Sequence, residues 1–183
     1  MMMLIFLGPP GAGKGTQSER LTEYFNIPHL STGELLRVAC SEGTKVGKLA
    51  EAYMTSGQLV PDPIILSIVG ERLERGDFDN GCLFDGFPRT LGQAQSLDIS
   101  LKSRGTPLNA ALELRVNDKE LEKRLMSRGR ADDRIDVVRQ RLKTYHETTK
   151  PLVEYYEQQG LLRPIDGTGS PDEVFDRIKQ VCG

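Results

Sequence analysis

The 183-residue sequence predicts a three-layer α/β domain, a five-stranded parallel sheet with helices on both faces. Three observations carry this. Short apolar runs alternate with segments of helical periodicity along the whole chain. The first run, Met3-Leu4-Ile5-Phe6-Leu7, leads straight into Gly8-Pro9-Pro10-Gly11-Ala12-Gly13-Lys14-Gly15-Thr16, and a helical pattern follows. The length suits one domain with a sizeable core, residues 1–183, and no internal repeat divides it. A buried strand, a glycine loop and a helix start in succession make this a P-loop NTPase-type domain.

The elements follow in order. Leu21, Tyr24 and Phe25 give the first helix an apolar face. Pro28-His29-Leu30 reads as a short strand. Ser31-x-x-Glu34 is a capping box opening a helix over Leu35, Leu36 and Val38. A further helix covers Val46 to Met54 and ends near Gly57. Asp62 and Pro63 suit an N-cap and a first helical residue, and Ile64, Ile65, Ile68, Val69 and Leu73 follow. Cys82-Leu83-Phe84 is a buried strand ending in Asp85. Thr90-x-x-Gln93 starts the next helix. Between Asn109 and Val116, Ala110, Leu112 and Leu114 alternate with Ala111 and Glu113, as in a strand. Asn117 caps a helix with Leu121 and Leu125. Ile135, Val138, Leu142 and Tyr145 continue on one face towards Leu152 and Tyr156, with Pro151 expected to bend or break the run. Leu161 to Ile165 is the last strand. Ser170-Pro171-Asp172-Glu173 opens a final helix carrying Val174, Ile178 and Val181.

Ligands of such sheets bind beyond the carboxyl ends of the strands. The glycine loop, Asp85 and the loop after Ile165 all fall there. Glycines at 8, 11 and 13 allow close backbone approach, so successive N–H groups can surround a phosphate at a helix start. Lys14 then reaches the outer phosphates. Gly15 stands where the general motif has Ser or Thr, and Thr16 comes one place later. Direct ligation of magnesium by the loop is therefore not expected. Asp85, at a strand end, suits a magnesium-organising carboxylate acting through water.

The bulk numbers exclude several classes. Lys and Arg total 24 and Asp and Glu 26, a net charge of −2, which suggests neither a nucleic-acid coat nor membrane adhesion. No run approaches a membrane span. Met1 to Leu7 lacks a basic start and a cleavage site and reads as a strand rather than a signal peptide. Cys40, Cys82 and Cys182 lie far apart, which supports neither zinc nor a disulfide framework and points to a reduced, cytoplasmic setting.

Three segments then become specific together: Gly8 to Thr16, Ser31-Thr32-Gly33-Glu34-Leu35-Leu36-Arg37, and Asp85-Gly86-Phe87-Pro88-Arg89-Thr90. With Arg124-x-x-x-Arg128, Arg130-x-Asp132-Asp133, Arg141 and Asp166-Gly167-Thr168-Gly169, the chain resembles adenylate kinase, a nucleoside monophosphate kinase, over nearly its whole length. The resemblance implies reversible phosphoryl transfer from Mg-ATP to AMP, giving two ADP, by a monomer. It implies that Gly11, Ala12, Gly13, Lys14, Gly15 and Thr16 hold ATP phosphates and that Gly169 meets the ATP adenine. Thr32, Arg37, Gln58, Leu59, Val60, Gly86, Phe87, Pro88, Arg89 and Gln93 would line the AMP site. Arg124 and Arg128 would act on ATP phosphates, while Arg130 and Arg141 bridge towards AMP. Glu34 departs from the family's usual Asp. Residues 31–60 would be a mobile AMP-binding segment and 127–133 a short lid without zinc.

Charge arithmetic points the same way. An AMP phosphate oxygen is already anionic, so no general base is needed. The difficulty is bringing two polyanions together, and arginines solve it by bidentate, permanent charge. Lys14, Arg37, Arg89, Arg124, Arg128, Arg130 and Arg141 supply that charge. Arg104, Arg115 and Arg139 read as surface charges, and His29 and His146 are assigned no chemistry. Thr32 and Gln93 favour adenine, although both also suit helix capping. Gln93→Glu is therefore expected to keep the cap while spoiling base recognition. The alternatives are a UMP/CMP kinase, which shares most motifs, and a noncatalytic P-loop nucleotide sensor. A GTPase is not supported, because Asn117-Asp118-Lys119-Glu120 is not a guanine motif.

Overall fold

A computed structural model describes residues 1–76, 78, 80–128 and 134–182, with the side chain of Arg128 excepted. Five parallel strands form one sheet: β1 (Met2–Leu7), β2 (His29–Ser31), β3 (Gly81–Asp85), β4 (Ala110–Arg115) and β5 (Leu162–Asp166). Their order is β2-β3-β1-β4-β5. The central strand β1 aligns Ile5 with Phe84 on one side and Ala111 on the other.

The helices are α1 (Lys14–Phe25), α2 (Thr32–Ser41), α3 (Lys45–Ser56), α4 (Asp62–Glu74), α5 (Leu91–Ser103), α6 (Asp118–Arg128), α7 (Ile135–Thr144), α8 (Pro151–Gln158) and α9 (Pro171–Cys182). The period of two in β1 and β4 sorts the core into two layers. Ile5, Leu7 and Ala111 face Val69, Leu97, Leu152 and Tyr156 of α4, α5 and α8. Leu4, Phe6, Leu112 and Leu114 face Leu21, Leu121, Val138 and Ile178 of α1, α6, α7 and α9. Burying each such side chain contributes about 1.5–3 kcal/mol.

Local sequence signals act as expected at several helix starts. Ser31 Oγ accepts from Glu34 N–H at 3.3 Å. The box at the start of α9 is reciprocal: Ser170 N–H donates to Glu173 Oε2 at 2.7 Å, and Ser170 Oγ accepts from Glu173 N–H at 3.3 Å. Elsewhere tertiary packing wins. Tyr24 is 59% exposed, because the buried face of α1 turns to Gln17, Ser18 and Leu21 instead. Val38 and Ile135 are also exposed. Asp62 is the first residue of α4 rather than its cap, which frees its carboxylate to reach α5. The helical run is interrupted just before Pro151, in line with the break expected there. A π-helical turn, Tyr145–Thr149, precedes it, and α8 begins at the proline.

Candidate functional site

All five strands end on one edge, and β1 is where the strand order departs in both directions. The crevice there is the expected ligand position. The glycine loop leaves β1 into it. Gly13 has φ +99 and caps α1, and a Cβ there would meet nothing within 4 Å. Open space therefore adjoins the backbone at this helix start, which suits an anion. Ala12 is 2% exposed and packs in the core, so only its backbone can serve a ligand. Gly15 and Thr16 are exposed. Lys14 Nζ donates to the carbonyls of Gly8 at 2.7 Å and Pro9 at 3.0 Å.

Two clefts adjoin at this edge. One is lined by Thr32, Arg37, Gln58, Leu59, Val60, Gly86, Arg89, Gln93 and Arg141, among others. The second is lined by Gly8, Lys14, Pro88, Tyr145 and Thr149, among others, and it shares Gly57, Leu59, Gly86, Arg89 and Arg141 with the first. Two cations therefore stand on the boundary between the clefts. Phe87 is not brought to either. It is 1% exposed in the core, its ring 6.4 Å from that of Phe84.

The loop after β3 is held by one carbonyl. Gly86 O accepts from Thr32 Oγ1 at 2.9 Å and from Arg89 Nε at 2.8 Å. Gly86 has φ +75, and a Cβ there would lie 3.0 Å from Arg89 Nη2 and 3.1 Å from Thr32 Oγ1, so any side chain would be strained and glycine is favoured. Burial pulls the Arg89 guanidinium down from its ordinary pKa, and Arg37 adds to this while Asp85 opposes it. Gln93, expected as the partner in a capping box, sends Oε1 to the N–H of Arg89 at 2.7 Å and Nε2 to Asp62 Oδ1 at 2.6 Å.

On the far side of the glycine loop, Arg124 donates through Nε to Glu120 Oε1 at 2.9 Å and through NH1 to Gly167 O at 3.2 Å. This ties α6 to the loop after β5 that carries Gly169, which has φ +101. Arg128 ends α6. Arg130 and most of the expected lid, residues 129–133, lie outside the described residues.

Asp85 ends β3, and His29 Nε2 lies 3.6 Å from its Oδ2. Burial works against ionisation of this carboxyl. The His29 imidazole beside it and the charges of Lys14 and Arg89 outweigh this, so its pKa is lowered. No group of three or more potential metal ligands occurs among the described residues. A lone carboxylate beside a phosphate loop still fits magnesium, which keeps several waters and takes one or two carboxylates plus substrate phosphates.

Sequence reasoning missed His29, Asp62 and Thr149. His29 gained its role from pairing: His29 aligns with Leu83 and Ser31 with Asp85 across β2 and β3. Thr149 donates to Arg89 O at 3.0 Å across 60 residues of chain. Neither partner lies near in sequence, so no local pattern marks them. His146 sits 3.5 Å from Asp118 and is not among the residues that line the clefts.

Comparison with known proteins identifies the family. The family model for adenylate kinase matches residues 6–161. The chain belongs to the adenylate kinase family. It is 48% identical over 189 residues to an adenylate kinase of Parvibaculum lavamentivorans, covering 100% of this chain and 92% of the relative. An adenylate kinase of Mycobacteroides abscessus is 47% identical over 182 residues, covering 100% and 99%. One from Leptospira biflexa is 46% identical, covering 97% and 98%. Adenylate kinases are a phosphotransferase family, and neither a pyrimidine-specific kinase nor a silent sensor is favoured by these relatives. Among the described residues of this adenylate kinase family member, no helix is long and apolar enough to cross a membrane.

Proposed function

We propose that the protein transfers a phosphoryl group reversibly from Mg-ATP to AMP, giving two ADP. The observation that carries the reading is the pair of clefts meeting at Arg89 and Arg141, one of them lined by Lys14 with Gly8 and Pro10 at the start of the glycine loop. Two anions seated in such clefts approach each other across shared positive charge. That charge lowers the repulsion most where it builds up during transfer.

The glycine loop, Lys14, Arg124 and Arg128 hold ATP phosphates, and Gly169 meets the ATP base. Thr32, Arg37, Gln58 to Val60, Gly86, Arg89 and Gln93 hold AMP. Arg130 and Arg141 act between the two. Asp85 organises Mg2+ through water, and the ion supplies charge neutralisation at the phosphates. No zinc is used. Residues 31–60 and 127–133 move to close the site, which excludes water from the transfer. The protein acts as a cytoplasmic monomer with small nucleotides and without nucleic acid. The free thiols of Cys40, Cys82 and Cys182 are consistent with a reducing compartment.

A coupled assay offering ATP with AMP, CMP, UMP or GMP tests the reading. Turnover is expected with AMP first. It should stop when magnesium is chelated and continue when zinc alone is removed. Absence of turnover with all four acceptors would overturn the proposal. Elution at twice the monomer mass in gel filtration would overturn the monomer.

A further inference from the structure

Gln93 is gripped from two sides by groups of opposite character. Its Nε2 donates to Asp62 Oδ1 at 2.6 Å, and its Oε1 accepts from the backbone N–H of Arg89 at 2.7 Å. A carboxylate can only accept and a backbone N–H can only donate. Together they decide which end of the amide is carbonyl and which is NH2. Asp62 is itself braced, since its Oδ2 accepts from Thr90 Oγ1 at 2.7 Å. The same hydroxyl accepts from Gln93 N–H at 3.2 Å, closing a ring of contacts between the starts of α4 and α5. Gln93 is 2% exposed and lines the cleft that also holds Thr32 and Val60.

A primary amide has two N–H donors and two carbonyl lone pairs. One of each is taken by the protein, and one of each remains for a ligand. With the amide locked, the remaining donor and acceptor stand in a fixed order. Adenine offers an amino donor at C6 and an acceptor at N1, which this order can satisfy. A 6-oxopurine offers the reverse, an acceptor at C6 and a donor at N1. Serving it means turning the amide over. The carbonyl would then face the Asp62 carboxylate and the NH2 would face the Arg89 N–H, leaving several polar groups unpaired in a largely dry site.

We propose that Asp62 is a positioning residue that sets selectivity for adenine over 6-oxopurines in the acceptor cleft, by locking the amide of Gln93 in one of its two orientations. The proposal rests on Gln93 being the residue that reads the acceptor base. Asp62 does not touch the base and acts through Gln93.

The test is kcat/KM for AMP and for IMP, which differ at C6 and N1 alone, in the full-length wild type, Asp62→Asn, Asp62→Ala, Gln93→Ala and the double variant Asp62→Asn/Gln93→Ala. Melting curves accompany each. Asparagine can donate as well as accept, so it tolerates either amide orientation, and alanine opposes neither. The AMP-to-IMP ratio is expected to fall about tenfold or more in both Asp62 variants, since discrimination built on paired buried polar groups is large. Gln93→Ala should lower the ratio as well, and adding Asp62→Asn to it should change the ratio no further. An unchanged ratio in the Asp62 variants, with a lowered ratio in Gln93→Ala, would overturn the proposal and leave the base reading standing. A lowered melting temperature with AMP and IMP losing equally would do the same, showing a purely structural brace. An unchanged ratio in Gln93→Ala would overturn the base reading itself and this proposal with it.

Discussion

His29 and Asp85 meet across the seam between β2 and β3, with Nε2 3.6 Å from Oδ2. A histidine on a strand of three residues thereby steadies the carboxylate beside the phosphate loop. Asp85 is thus held from the sheet side as well as by the charges of Lys14 and Arg89.

The pH dependence follows from the sign of that shift. The folded pKa of Asp85 is below its ordinary value of 3.8. Its contribution to stability is therefore fully present above the ordinary value and is lost as pH falls through the folded one. Asp85→Asn should melt lower than the wild type at about pH 5–7, with the gap closing below about pH 4. His29→Ala should move the Asp85 titration upward. Carbon-13 NMR of the carboxyl reads both, and a wild-type Asp85 titrating at its ordinary value would refute the account.

Arg89 is the cation whose shape matters most. Its Nε is already committed to Gly86 O at 2.8 Å, which aims the remaining donors into the clefts. Losing one charge-assisted phosphate contact should cost about 2–4 kcal/mol in the transition state, or roughly 30- to 1,000-fold in kcat/KM. Arg89→Lys should recover little of the loss in Arg89→Ala, because an ammonium lacks the planar fork that binds a phosphate bidentately while Nε holds the carbonyl. Normal kcat/KM in a folded Arg89→Ala would remove Arg89 from the site.

Gln93→Glu is not the gentle probe that capping logic suggests. The Gln93 amide nitrogen sits 2.6 Å from Asp62 Oδ1, so a glutamate there sets two carboxylates against each other. One pKa of such a pair rises. The strain should be present at neutral pH and relieved as pH falls through that raised value. Gln93→Glu should melt lower than the wild type at pH 7, and the deficit should shrink towards about pH 5. Adding Asp62→Asn should restore part of the melting temperature at neutral pH. A Gln93→Glu protein as stable as the wild type at pH 7 would contradict the observed contact.

Gly13 and Gly86 should fail differently when replaced by alanine. Both have positive φ, so each replacement carries strain of about 1–2 kcal/mol. A Cβ on Gly13 meets no protein atom within 4 Å, so Gly13→Ala disturbs the loop proposed to hold ATP phosphates and not the packing around it, and should chiefly raise KM for ATP. A Cβ on Gly86 presses on Arg89 and Thr32, so Gly86→Ala should chiefly raise KM for AMP. Steady-state kinetics with each substrate varied separates them, and identical patterns would refute the distinction.

Much of the fold was legible because its signals are local. Met3 to Leu7 reads as a strand from its own residues, and the glycines after it announce the loop. The capping serines at 31 and 170 act within three residues of themselves. Asp62, His29 and Thr149 were not legible, because each acts on a residue that the chain brings near only after folding. Phe87 shows a different limit. The segment around it marks a site, yet nothing in the residue order says that its ring turns into the core while Gly86 and Arg89 turn to the cleft. Gln93 suits a cap by its position, and only the structure reveals that its side chain is claimed by Asp62 and Arg89.

The π-helical turn Tyr145–Thr149 sets the angular phase between α7 and α8. Arg141 must point at the clefts while Leu152 and Tyr156, both 0% exposed, point into the core. An α-helix advances about 100° per residue, so removing one residue from that turn would rotate α8 by about that angle relative to α7. The two side chains would leave the core even though every hydrophobic residue remained in the chain. The segment should therefore tolerate many exchanges of side chain at His146 or Glu147, both exposed, yet no change of length. At those two positions the constraint lies in the residue count rather than in residue identity.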